Sequence, residues 1–70
     1  MLNVELLKEF INEKYKDRKT FSERMIMLGL DMNTSHVSIY RILRERTCNL
    51  ENLIKLKKIL GFSYDEMIID

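Results

Sequence analysis

The sequence predicts an all-α fold of five short helices, and three observations carry that expectation. Helix-start signals recur along its 70 residues, including two capping boxes, Thr20 with Glu23 and Ser63 with Glu66. In each, a hydroxyl and a carboxylate can satisfy backbone amides left free at a helix start. Proline is absent, and the two glycines, Gly29 and Gly61, fall where a helix should close. Between these signals, apolar residues return at helical spacings of three and four.

Taken in order, Asn3 caps a first helix whose inner side is Val4, Leu7, Phe10 and Ile11, with Leu6 close by. Glu5, Lys8, Glu9 and Glu13 form its solvated side, and the helix fades into the charged run Lys16 to Lys19. A second helix is expected from Phe21 to Leu28, with Gly29 in the left-handed closing position and residues 30–34 as the connection. Ser35, or alternatively Asn33, caps a third helix reaching Arg44, and residues 45–48 form a loop. Asn49 caps a fourth helix with Leu50, Leu53, Ile54, Leu56 and Leu60 as its buried set, closed by Gly61. Ser63 opens a last short helix through Met67, Ile68 and Ile69.

Seventy residues, 46% hydrophobic and 33% charged, make one small globular domain spanning 1–70. A chain of this size buries only about 60% of its unfolded surface, so the core is thin. The single cysteine, Cys48, has neither a disulfide partner nor a neighbour at metal-ligand spacing, which fits a reducing compartment. No apolar run resembles a signal peptide or a membrane span, so a cytoplasmic protein is expected. With one histidine, no candidate triad and no phosphate-cradling glycine loop, the sequence offers no catalytic site, metal site, cofactor or small-molecule substrate.

Net charge is only +1, but its distribution is uneven. Residues 14–46 hold eight basic side chains against four acidic ones, whereas the remainder holds four against seven. A cationic centre between acidic ends can orient a domain on phosphate or on an acidic protein surface.

That centre contains the most telling stretch, Ser35 to Thr47. A helix beginning after Ser35 turns Ile39 and Ile42 inward and His36, Val37, Tyr40, Arg41 and Arg44 outward. Two short helices, the second with a mixed polar and cationic outer face, match the way a helix-turn-helix module meets the DNA major groove. The apolar side chains Phe21, Met25, Met27, Leu30, Met32 and Leu43 fill a core or, in part, supply an adaptable partner surface. Phe21, Met25 and Met32 are the candidates for that surface.

The segment from Asn49 to Ile68, a cap, a Leu-rich helix, Leu60-Gly61, an apolar residue and then Ser63 with two acids, resembles the closing helices of the phage repressor and Cro family. Thr20 to Gly29 resembles that family's second helix and Ser35 to Thr47 its recognition helix and following loop. The resemblance implies a compact lambda-repressor-like domain with a helix-turn-helix motif in its second and third helices. It places Ser35, His36, Val37 and Arg41 at base-reading positions and Arg44, Arg46 and Thr47 at backbone-contacting ones; at such positions Arg41 can pair with guanine O6 and N7, Val37 can pack on a thymine methyl, His36 can meet a base edge, and Arg44 and Arg46 can neutralise phosphates. The chain departs from the pattern at Phe21, where the family usually has a phosphate-holding Gln, and at Met25, where a small Ala is usual. Its connection between Gly29 and Ser35 is about four residues longer than the family's tight turn. Leu43 replaces a commonly polar residue, and Lys57 stands where a small buried Ala is common.

Two functions follow as expectations. One is a transcriptional regulator of the Cro and repressor type, binding operator DNA as a homodimer. The other is an antirepressor or modulator that aims the same face (His36, Tyr40, Arg41, Arg44) at a partner repressor protein. An antitoxin-like role is a third version.

Overall fold

The computed structural model describes residues 1–69. Five helices follow one another: α1 Val4–Lys14, α2 Phe21–Met32, α3 His36–Glu45, α4 Leu50–Leu60 and α5 Tyr64–Met67. The described residues contain no strand, only one antiparallel bridge between Leu2 and Ile68.

Every helix begins where a short polar side chain supplies the missing acceptor. Asn3 accepts from the Leu6 amide at 3.2 Å, Thr20 from Glu23 at 3.1 Å, Ser35 from Val37 at 3.2 Å, Asn49 from Asn52 at 2.8 Å and Ser63 from Glu66 at 3.3 Å. Each such cap stabilises its helix by about 1 kcal/mol. The caps thus define where each helix starts, and the apolar faces then define how the helices pack. Leu7, Ile11, Met25, Leu28, Ile39, Leu56 and Met67 meet in the centre and are fully buried. Burial of each contributes roughly 1.5–3 kcal/mol.

The second helix differs from the sequence expectation. It does not stop at Leu28 with Gly29 in the left-handed position; it continues to Met32, and Asn33 takes the left-handed turn at φ 55°. The cause lies in two side chains of the extra turn. Met32 reaches the core, and Asp31 accepts a 2.6 Å hydrogen bond from the Tyr15 hydroxyl at the end of α1. Gly29 therefore serves packing. A Cβ there would sit 2.9 Å from the Thr34 carbonyl oxygen and 3.2 Å from the His36 nitrogen. The missing side chain lets α3 begin directly against α2, after a turn made only of Asn33, Thr34 and Ser35. The long connection expected from the sequence is absent.

α4 also departs from its expected burial. Of Leu50, Leu53, Ile54, Leu56 and Leu60, only Leu56 is fully enclosed, while Leu50 is 68% exposed. α4 packs against α1 and α2, and Leu50 in its first turn stays in solvent. Lys57, at the position where a small residue is common, is half-buried. Its stem stays with the helix and its ammonium lies 5.3 Å from the centre of the Tyr64 ring.

The two ends of the chain are stitched together, and this shortens α5. Asn3 donates to the Met67 carbonyl at 2.7 Å, and Ile69 donates to Met1 at 2.8 Å. Ile68 takes an extended conformation to make the bridge, so the helix ends at Met67 and does not run through Ile69. Leu2 donates to the Arg46 carbonyl at 2.8 Å, which ties the stitched ends to the close of α3. Arg24 performs a similar task between α1 and α2. It donates to the Arg18 carbonyl at 3.1 and 2.9 Å and to the Asn12 side chain at 3.0 Å.

Candidate functional site

α3 is the helix whose outer face carries the sequence-predicted residues. Ile39, Ile42 and Leu43 are buried and form its inner face. The opposite face consists of Val37, Arg41 and Arg44, all exposed, with His36 and Tyr40 along one flank and Ser38 and Glu45 along the other. The 3.6-residue period explains this division, because residues three and four apart share a face. Five of the expected contact residues, His36, Val37, Tyr40, Arg41 and Arg44, thus occupy one continuous surface. Ser35 stands at its start, where its hydroxyl is engaged as the helix cap.

The cations differ in availability. Among the described residues, Arg41 makes no ion pair. Arg44 reaches only its sequence neighbour Glu45, at 4.0 Å, and both side chains are largely solvated. An exposed contact at that distance is worth little and leaves the guanidinium free to meet a ligand. Arg46 is a different case, because it already has a partner. It closes α3 in the left-handed conformation at φ 59°, and its guanidinium donates to both carboxylate oxygens of Glu5, at 3.2 and 2.9 Å. The Glu5 carboxyl is held below its ordinary range by a backbone hydrogen bond and then by Arg46. Arg46 thus links the end of α3 to α1 while its side chain stays partly exposed.

The proposed methionine surface is corrected. Met25 and Met32 lie in the core, 0% and 2% exposed, because they share the inner side of α2 with Leu28. Phe21 is half-buried at the helix start, and its ring meets Tyr40 edge-to-face at 6.4 Å. Tyr40 in turn meets His36 at 6.4 Å, again nearly perpendicular. The apolar residues that α2 does expose are Ile26 and Leu30.

Two clefts flank α3. One, of about 390 Å³, separates it from the start of α4 and is lined by Ser38, Arg41, Glu45, Thr47, Asn49 and Asn52, with Ile42 and Cys48 beneath. Thr47 therefore lines the same groove as Arg41. Burial raises the Cys48 thiol above its usual range and keeps it an uncharged wall of that groove. The other cleft, of about 260 Å³, lies on the Tyr40 side between α1, α2 and α3 and is lined by Lys8, Phe21, Tyr40, Leu43 and Arg44. Lys8, Ser38, Ile42, Leu43, Glu45, Cys48, Asn49 and Asn52 are the lining residues that the sequence did not nominate as contacts. The sequence contains no local signal for them, since they join the surface only through packing between helices.

Among the described residues, no cluster of His, Cys, Asp or Glu could hold a metal ion, and no helix is long and apolar enough to cross a membrane. Fold and surface together define a five-helix all-α domain that presents one helix, with two free arginines, as a ridge between two clefts. The chain matches no protein-family model, and no curated protein or solved structure is detectably similar to it.

Proposed function

We propose that this protein is a small transcriptional regulator that binds operator DNA through α3, with α2 and α3 acting as a helix-turn-helix pair. The observation that carries this reading is the outer face of α3. There two arginines without a strong internal partner, Arg41 and Arg44, stand beside Val37 and His36 on a helix set close against α2. A helix so presented fits the major groove. Arg41 supplies two parallel donors for guanine O6 and N7, and Val37 supplies a methyl surface for thymine. Arg44 at the end of the ridge and Thr47 across the polar groove hold phosphates, with Ser35 and His36 at the entering end. Arg46 bonds Glu5 through one nitrogen of its guanidinium, and its remaining donors are available to a phosphate near the end of the ridge. A homodimer would deliver two such helices to successive major grooves. The setting is the cytoplasm of a bacterium or phage-infected host.

A second reading is a modulator that covers a partner repressor. Phe21 and the perpendicular rings of Tyr40 and His36 favour it, because they give the flank of α3 an aromatic character unsuited to phosphate. One experiment separates the two: a gel shift of the purified chain on the DNA upstream of its own gene, with and without the neighbouring repressor. A shift by the chain alone, weakened steeply by salt and lost on Arg41→Ala, supports operator binding. No shift alone, combined with an altered shift of the repressor, refutes it in favour of the modulator.

A further inference from the structure

The cleft between α1, α2 and α3 has a composition that the DNA reading leaves unused. Its floor is Phe21, Tyr40 and Leu43, and its rim is Lys8 from α1 and Arg44 from α3. No carboxylate lines it, whereas the polar groove on the other side of α3 includes Glu45. At about 260 Å³ it falls below the range of about 300–1,000 Å³ occupied by small-molecule sites, so it suits one or two side-chain knobs. The ring geometry narrows the occupant further. Phe21 and Tyr40 meet at 78°, so the floor is a corner of ring edges and faces with no parallel pair to sandwich a base. An aliphatic or aromatic side chain fills such a corner, and two cations at the mouth select the charges around that side chain.

We propose that this cleft is a docking site for an acidic amphipathic segment of a partner protein, an apolar anchor entering between Phe21, Tyr40 and Leu43 while flanking carboxylates meet Lys8 and Arg44. This deepens the partner-binding reading by naming the partner's chemistry. It does not depend on α3 reading DNA, because Lys8, Phe21 and Leu43 lie outside the proposed base-reading ridge. The cleft and the ridge share Arg44, so an acidic segment seated here would compete with phosphate for that guanidinium.

The test uses the full chain and a fluorescein-labelled helical peptide with Leu at i and i+4 among glutamates, read by anisotropy. Two control peptides replace the leucines by serine or the glutamates by lysine. The acidic Leu peptide is expected to bind and both controls to fail. Lys8→Glu and Arg44→Glu should each weaken binding by about fivefold or more, since reversal removes an attraction and adds a repulsion at a solvated rim. Tyr40→Ala should weaken it comparably, and Lys58→Glu on α4 should change nothing. All four positions are exposed, so the variants keep the fold. Equal binding of the serine peptide, or indifference to Lys8→Glu, overturns the proposal. Displacement of the peptide by oligothymidylate that depends on Tyr40 but not on Lys8 overturns it in favour of base stacking. Self-association abolished by Lys8→Glu, with no peptide binding, overturns it in favour of a second copy. Operator binding retained by Lys8→Glu while the native chain ignores the peptide sinks the cleft alone. Peptide binding without any operator shift sinks the DNA reading alone.

Discussion

Gly29→Ala offers a sharp test of how α2 and α3 are joined, because two effects of opposite sign meet at one atom. Gly29 lies inside α2 with no positive φ to protect, so alanine there should gain the ordinary helix propensity difference of about 1 kcal/mol. Against this stands the space. The new Cβ would lie 2.9 Å from the Thr34 oxygen and 3.2 Å from the His36 nitrogen, and both are backbone atoms with no flexible side chain to yield. The Thr34 amide also donates to the Gly29 carbonyl at 2.9 Å, so separating α2 from the turn strains that bond as well. Overpacking of this kind costs about 1–3 kcal/mol, and the loss should exceed the propensity gain, leaving a net destabilisation of about 1 kcal/mol. In urea, with a slope near 1 kcal/mol per molar for so small a domain, the midpoint should fall by about 1 M. The same displacement moves His36 and Val37, so under the operator-binding proposal DNA affinity should drop more than stability alone explains. A midpoint that rises refutes the close approach of α3 to α2.

Two further outcomes follow. The Tyr15 hydroxyl is pushed well above its ordinary range by burial and by its bond to Asp31, so the folded state keeps a proton that the unfolded chain releases near pH 10. Stability should be full below that pH and fall as pH rises past it; Tyr15→Phe should lower stability by about 1 kcal/mol at neutral pH and flatten the alkaline decline in urea titrations. Leu56→Ala should cost about 2–5 kcal/mol by opening a cavity at a fully enclosed site, whereas Leu50→Ala, two turns earlier on the same helix, should stay within about 0.5 kcal/mol by thermal unfolding.

The features legible in the sequence were those fixed by neighbours along the chain. Five caps lie where Asn3, Thr20, Ser35, Asn49 and Ser63 announced them, and Gly61 closes α4 at φ 82°. These depend on a side chain reaching an amide two or three residues on, so composition alone specifies them. The errors came from partners distant in sequence. Gly29 looked like a stop signal until Met32 found the core and Asp31 found Tyr15, 16 residues earlier, and carried α2 through. Ile68 and Ile69 read as helix until Leu2 and Met1 claimed them for backbone pairing. Likewise the apolar pattern of α4 identified a helix but not which of its leucines would meet α1 and α2.

The same distinction separates the arginines, and it bears on how far a surface can be read from a chain. Arg41, Arg44 and Arg46 are equivalent by composition, and their spacing alone would make them one cationic cluster. Arg46 differs from the other two because α1 brings Glu5 to it from 41 residues away, with two hydrogen bonds to one carboxylate. Arg44 gains a second role because the same helix brings Lys8 alongside Phe21 and Tyr40. α1 thus distinguishes an arginine paired with Glu5, a cation shared between ridge and cleft, and Arg41, which α1 leaves unpaired beside the polar groove. If Glu5→Gln frees the whole Arg46 guanidinium to join the ridge, operator affinity should rise while stability falls slightly. Such opposite movement would show that the Glu5 contact, not helix position, limits Arg46 at the surface. Parallel loss of both would place Arg46 among the residues that the ridge needs held still.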